Sequence, residues 1–215
     1  MVLKPRDRVV FIGDSITDAG RRDAAPPLGN GYVALFKDLV DVSKPELRLE
    51  VVNRGISGNT VRDLKERWED DVLALRPAAV SVLIGINDVH RYLGGDLGLS
   101  PEGYYETYRE LLEATVGKLD GAAILLMAPF YVSRASALDT TRRKVLELLP
   151  EYVRAVERLS AEYSTLYVDL HAEFQKLLEY IEPEELAPDA IHPTRKGHML
   201  IALKAYRALV GEEAK

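Results

Sequence analysis

The chain has 215 residues, a formal net charge of -6 at pH 7 and no cysteine. That length fits a single domain, residues 1–215, with room for a sizeable core. The mildly acidic balance argues against a nucleic-acid surface, and the missing cysteines exclude disulfides, thiolate nucleophiles and cysteine-built metal sites.

RVVFIG, residues 8–13, is an apolar run that leads into Asp14 and Ser15. It reads as a buried strand that stops, turns and leaves a serine past its end. Gly-Asp-Ser by itself is also an ordinary turn whose side chains bond nearby backbone. GYVALFKDLVDV has helical period, and LRLEVVN (47–53) is the second strand. Gly55 and Gly58 follow, and Thr60 caps the next helix. Glycine at 58 permits positive φ and sets a backbone N–H near the positive end of that helix. AVSVLIG (79–85) is the third strand and runs into Asn87 and Asp88, ahead of the helix PEGYYETYRELLEATVGKL. AAILLMAP (122–129) and TLYVDL (165–170) are the fourth and fifth strands, with a helix over 140–163 between them. HAEFQKLLEYI and TRKGHMLIALKAYRALV close the chain as helices.

Strand–helix alternation of this kind predicts an α/β fold, a three-layer α/β/α sandwich on a five-stranded parallel sheet. Three connections exceed the usual length: 18–30, 87–99 and 129–139. All follow strands, so they gather at the carboxyl edge, where open α/β sheets bind ligands. The N-terminal apolar run is too short for a secretory signal, and no segment approaches the roughly 18 apolar residues of a membrane span. A cytoplasmic protein without membrane or nucleic-acid partners is expected.

PDAIHPTRKGH, 188–198, places Asp189 three residues before His192, close enough for the carboxylate to bond one ring nitrogen. A serine needs a base to take its proton, and the base needs an orienting group. Ser15, His192 and Asp189 supply that set. The Ser15 and Gly58 N–H groups and the Asn87 amide supply donors for an oxyanion. Asp169 and His171 are a rival acid–base pair, ranked below because they lie farther from the serine turn. Nothing has metal-ligand spacing, so neither metal nor cofactor is expected.

The four blocks Gly13-Asp14-Ser15, the glycine turn ending at Gly58, Gly85-x-Asn87-Asp88 and Asp189-x-x-His192 stand in one order along nearly the whole chain. In this the sequence resembles the SGNH, or GDSL-type, hydrolases. The resemblance implies a flavodoxin-like SGNH hydrolase fold, Ser15 as nucleophile, His192 as base, Asp189 as its partner, and Ser15, Gly58 and Asn87 as the oxyanion hole. FIGDSITDAGR, VVNRGISGNTVRDLKERWEDDV, IGINDV, MAPFY and IHPTRKGHM are similar in wording and spacing to bacterial intracellular acetylxylan esterases. That likeness implies a short-acyl ester substrate, an acetylated saccharide, and it favours a homo-oligomer. Asp14, His90, Phe130, Tyr131 and Ile191 are expected to border the substrate. Pro188 stands where that group often has an aromatic residue, and His90 where a tryptophan is expected. Lysophospholipase, thioesterase or general carboxylesterase activity would use the same machinery. A phosphate- or flavin-binding protein is the reading from another class. Against it, the loop after Ile12 has neither the glycine spacing nor the lysine of a P-loop.

Overall fold

The computed structural model describes residues 3–134 and 140–211. In chain order the elements are β1 (Arg8–Gly13), α1 (Ser15–Asp18), α2 (Tyr32–Ser43), β2 (Glu50–Gly55), α3 (Val61–Asp71), β3 (Ala79–Leu83), α4 (Ile86–Leu93), α5 (Pro101–Lys118) and β4 (Ala123–Met127). Then come α6 (Thr140–Tyr163), β5 (Leu166–Val168), α7 (Leu170–Leu177), α8 (Pro183–Leu186) and α9 (Arg195–Leu209). The five strands form one parallel sheet in the order β2-β1-β3-β4-β5. This is the five-stranded parallel sheet that the alternation of the sequence predicts.

The chain steps from β1 to β2 in one direction and from β2 to β3 in the other. With right-handed crossovers, that reversal sends the helices to both faces of the sheet. On one face α2 packs with α9, and Phe11 of β1 meets Tyr32 and Phe36 of α2 edge-on. On the other, α5 packs against both α3 and α6. β1, β3 and β4 are almost wholly buried, which is why their sequences are continuous apolar runs. In open α/β sheets ligands bind at such a reversal, which here lies beyond the carboxyl ends of β1 and β3.

The caps follow the sequence. Thr60 and Asp63 form a reciprocal capping box on α3. Ser100 caps α5 ahead of Pro101, and Thr194 caps α9. Three expectations need correction. The second strand begins at Glu50, not residue 47, because Arg48 takes a left-handed φ of 46° that no strand accommodates. The fifth ends at Val168, because Asp169 leaves the sheet to cap α7. Residues 87–99 are not a loop. They hold α4 from its second residue on, with Asp88 and Val89 buried, and a short 3-10 turn, Leu97–Leu99, with Leu99 buried. Of the connection 129–139, residues 135–139 lie outside the described residues.

Candidate active site

Ser15 is the first residue of α1, directly after the end of β1. Asp14 caps that helix: its Oδ1 accepts the Ile16 N–H at 2.9 Å. The cap turns the chain within one residue and leaves the Ser15 N–H without a partner inside the helix. A Cβ added to Gly13 would stand 2.2 Å from the Leu83 carbonyl oxygen of β3, so only glycine lets the strand end sit this close to its neighbour.

Ser15 Oγ lies 2.9 Å from Nε2 of His192, and His192 Nδ1 lies 2.6 Å from Oδ2 of Asp189. An Nδ1–H donated to the carboxylate leaves Nε2 as an acceptor toward the serine. The other oxygen of Asp189 accepts the His192 N–H at 2.7 Å and the Ile191 N–H at 2.9 Å. The turn is anchored to the β4 side by the Val132 N–H, which donates to Ala190 O at 2.8 Å. Partial burial disfavours the Asp189 charge. The bonds from the His192 ring and from the two backbone N–H groups outweigh it and hold the carboxyl below its ordinary range. Both side chains remain about half exposed, 54% for Asp189 and 55% for His192, so the ring is reachable from solvent.

Gly58 and Asn87, the expected oxyanion donors, follow the ends of β2 and β3, which flank β1. Gly58 has a φ of 81°, and a Cβ there would meet nothing within 4 Å. Glycine is needed here for its conformation, not for space. Asn87, in the first turn of α4, donates one amide hydrogen to Asn59 O at 2.9 Å and keeps the other. Arg91 Nη2 donates to Gly58 O at 2.9 Å.

Asp14 and Asp88 are buried beneath this edge, each with one carboxyl oxygen unpartnered among the described residues. Burial pushes Asp14 up to about 7, against its bond from Ile16 and the nearby His192. Burial also pushes Asp88 up to about 7, against the Val61 N–H, with Asp14 and Asp63 adding to the rise. Asp14 was expected to border the substrate, but it is only 1% exposed and instead caps the turn. Phe130 is a second correction: it is fully buried and stacked on Phe174 at 4.4 Å, a core contact. Tyr131 is also buried, with its ring 6.1 Å from that of His90. His90 lies on α4, half-buried, with Nε2 unpartnered among the described residues, and burial lowers its basicity. Ile191 is partly buried beside the histidine turn.

The rival pair is separated in role. Asp169 caps α7, and His171 Nδ1 accepts the Tyr131 N–H at 3.4 Å. His198 Nδ1 accepts the Tyr32 N–H at 3.2 Å, and burial, with help from His192, pushes it down to about 4. The sequence reading missed the polar tethers. Asn53 Nδ2 bonds the carbonyls of Thr17 and Leu28, Asp18 Oδ2 accepts the Ser57 N–H, and Asp88 Oδ1 accepts the Val61 N–H. A buried asparagine at a strand end was the only signal for them. Among the described residues no group of three or more histidine, aspartate or glutamate side chains could hold a metal ion. Nor is any helix of those residues long and apolar enough to cross a membrane.

Residues 11–200 match the GDSL-like lipase/acylhydrolase family. The chain belongs to that family. It is a carboxylic ester hydrolase. It is 42% identical over 218 residues to an acetylxylan esterase of Geobacillus stearothermophilus, covering 96% of this chain and 95% of the relative. The crystal structure of Axe2, an acetylxylan esterase from that organism, superposes with a TM-score of 0.85 at 39% identity, covering 100% of this chain and 99% of Axe2. An alpha/beta hydrolase from the metagenome of Lake Arreo, Spain, matches with a TM-score of 0.85 at 35% identity, covering 100% of both chains. Solved Axe2 variants described as catalytic mutants replace a serine, an aspartate and a histidine, the last two three residues apart.

Proposed function

We propose that this esterase removes acetyl groups from xylo-oligosaccharides through Ser15, His192 and Asp189. One observation carries the reading of the site: Ser15 Oγ, the His192 ring and the Asp189 carboxylate are linked by contacts of 2.9 Å and 2.6 Å. His192 takes the Ser15 proton as the serine attacks the ester carbonyl. The oxyanion is held by the N–H groups of Ser15 and Gly58 and the free amide hydrogen of Asn87. As the bond between the acyl carbon and the sugar oxygen breaks, His192 protonates that oxygen, the sugar leaves as a free hydroxyl, and the acetyl group stays on Ser15. Water, activated by the same ring, releases acetate and restores the serine. Asp189 keeps the ring in the required tautomer and stabilises it when protonated. The acetylated saccharide comes to this chain from its likeness to acetylxylan esterases.

The test compares hydrolysis of p-nitrophenyl acetate and octanoate by wild type and Ser15→Ala, followed by acetate release from acetylated xylo-oligosaccharides. Acetate turnover that collapses in Ser15→Ala, together with release from the saccharide, is the expected result. Undiminished turnover by Ser15→Ala would overturn the site. Cleavage of octanoate alone would overturn the acetyl substrate.

A further inference from the structure

Arg67 lies on α3 with its side chain mostly buried, 15% exposed. Its Nε donates to Asn59 Oδ1 at 2.9 Å, its Nη2 to Gly13 O at 3.2 Å, and its Nη1 to Arg54 O at 2.8 Å. Nη1 also pairs with Asp71 at 2.6 Å. One rigid fork thus bonds the last residue of β1, the end of β2 and the loop that carries Gly58. These are the segments that supply two of the three oxyanion donors.

We propose that Arg67 is a positioning residue for the oxyanion hole, acting through Asn59 and Gly13. Packing does not fix the Gly58 loop: Ser57 and Gly58 are exposed, and no atom lies within 4 Å of a Cβ at Gly58. Its place is set by polar tethers. Asn59 is their junction, since its side chain accepts from Arg67 and its carbonyl accepts from Asn87. Gly13 O is a second junction, accepting from Arg67 and from the Ile56 N–H at 3.0 Å. The Gly58 N–H and the Asn87 amide are therefore referenced to the same fork that holds the residue two before Ser15. A lysine could keep the ion pair with Asp71 but could not serve this spread of acceptors.

The inference rests on the proposed site, and the test separates the two. The single variants Arg67→Lys and Asn59→Ala and the double variant are assayed on p-nitrophenyl acetate, with Ser15→Ala and Asn87→Ala alongside and melting temperatures recorded. The expected kcat loss is about 10-fold for each single variant, with KM changed by less than about 2-fold, because a small displacement of donors weakens only the transition state. The double variant should be no slower than the slower single one, since both remove the same tether. An unchanged kcat in folded Arg67→Lys, or losses that multiply in the double variant, would overturn the proposal. If Arg67→Lys does not fold, Asn59→Ala decides, because it leaves Arg67 its other acceptors; an unchanged kcat there overturns it. Continued turnover by Ser15→Ala would instead overturn the site itself.

Discussion

Asn87 Nδ2 donates to the backbone oxygen of Asn59 at 2.9 Å, which ties the first turn of α4 to the loop holding Gly58. The bond uses one amide hydrogen, fixes the plane of the group and aims the other. Asn87→Ala removes both. We expect kcat to fall by about 10²–10³-fold, the usual effect of losing one oxyanion donor. Asn87→Asp should be at least as slow, since a carboxylate cannot donate and would set a negative charge against the Asn59 carbonyl. Steady-state kinetics with p-nitrophenyl acetate reads both, and a loss below about 10-fold in Asn87→Ala would remove the residue from the oxyanion hole.

Asp189 uses one oxygen for the His192 ring and the other for two backbone N–H groups. Asp189→Asn cannot satisfy both sides: if its oxygen keeps the backbone bonds, its amide faces the ring and Nδ1 must accept. The proton then sits on Nε2, and the base is lost. A kcat loss of roughly 10³–10⁴-fold is expected, with little change in melting temperature at this exposed turn. Loss of the low-field proton signal of the histidine–aspartate bond in NMR should accompany it.

The sheet was legible because β1, β3 and β4 are buried on both faces, and their apolar runs admit no other element. β2 and β5 are the sheet's edges, and their ends were misplaced because a left-handed Arg48 and a departing Asp169 leave little trace in hydrophobic pattern. α4 escaped detection because eight residues with a polar face, followed by Gly94 and Gly95, look like a loop. Ser15, His192 and Asp189 could be grouped from the sequence because acid, base and nucleophile chemistry restricts residue type, and the structure brings the three within hydrogen-bond distance. Asn53 was not legible, because its partners are backbone groups, which any sequence provides. Arg67 was not, because two of its acceptors are backbone carbonyls and its aspartate four residues on reads as an ordinary helix-surface pair. Phe130 was misjudged because a residue at a strand end can face either the carboxyl edge or the core, and Phe174 supplied a core partner.

Two glycines of the site should respond differently to alanine. At Gly13 the new Cβ would stand 2.2 Å from Leu83 O and 2.5 Å from Thr17 Oγ1. The backbone oxygen can yield only if β1 and β3 separate, so Gly13→Ala should cost roughly 2 kcal/mol, a drop of about 5 °C in melting temperature. At Gly58 the Cβ has open space and only the φ of 81° is strained. That penalty is about 1–2 kcal/mol and falls on an exposed loop, which can relax by turning the peptide. Gly58→Ala should therefore melt near wild type while losing kcat. Equal melting temperatures for the two variants would contradict this contrast.

Asp88 should make stability depend on pH in a definite direction. Burial raises its carboxyl from an ordinary 3.8 to about 7, and its neighbours Asp14, Asp63, Tyr104, Tyr108 and Tyr152 offer no positive charge. The folded chain holds this proton more tightly than the unfolded one. Its stabilising effect is complete below the ordinary value and is lost as pH rises through about 7. Asn at 88 imitates the protonated acid: its oxygen still accepts the Val61 N–H, now 3.0 Å away, and no charge is buried on deprotonation. The melting temperature of Asp88→Asn relative to wild type should rise from about pH 5 to about pH 8, while Asp14 goes on titrating in both proteins. Parallel melting curves across that range would mean that the Asp88 carboxyl is not held protonated by its burial.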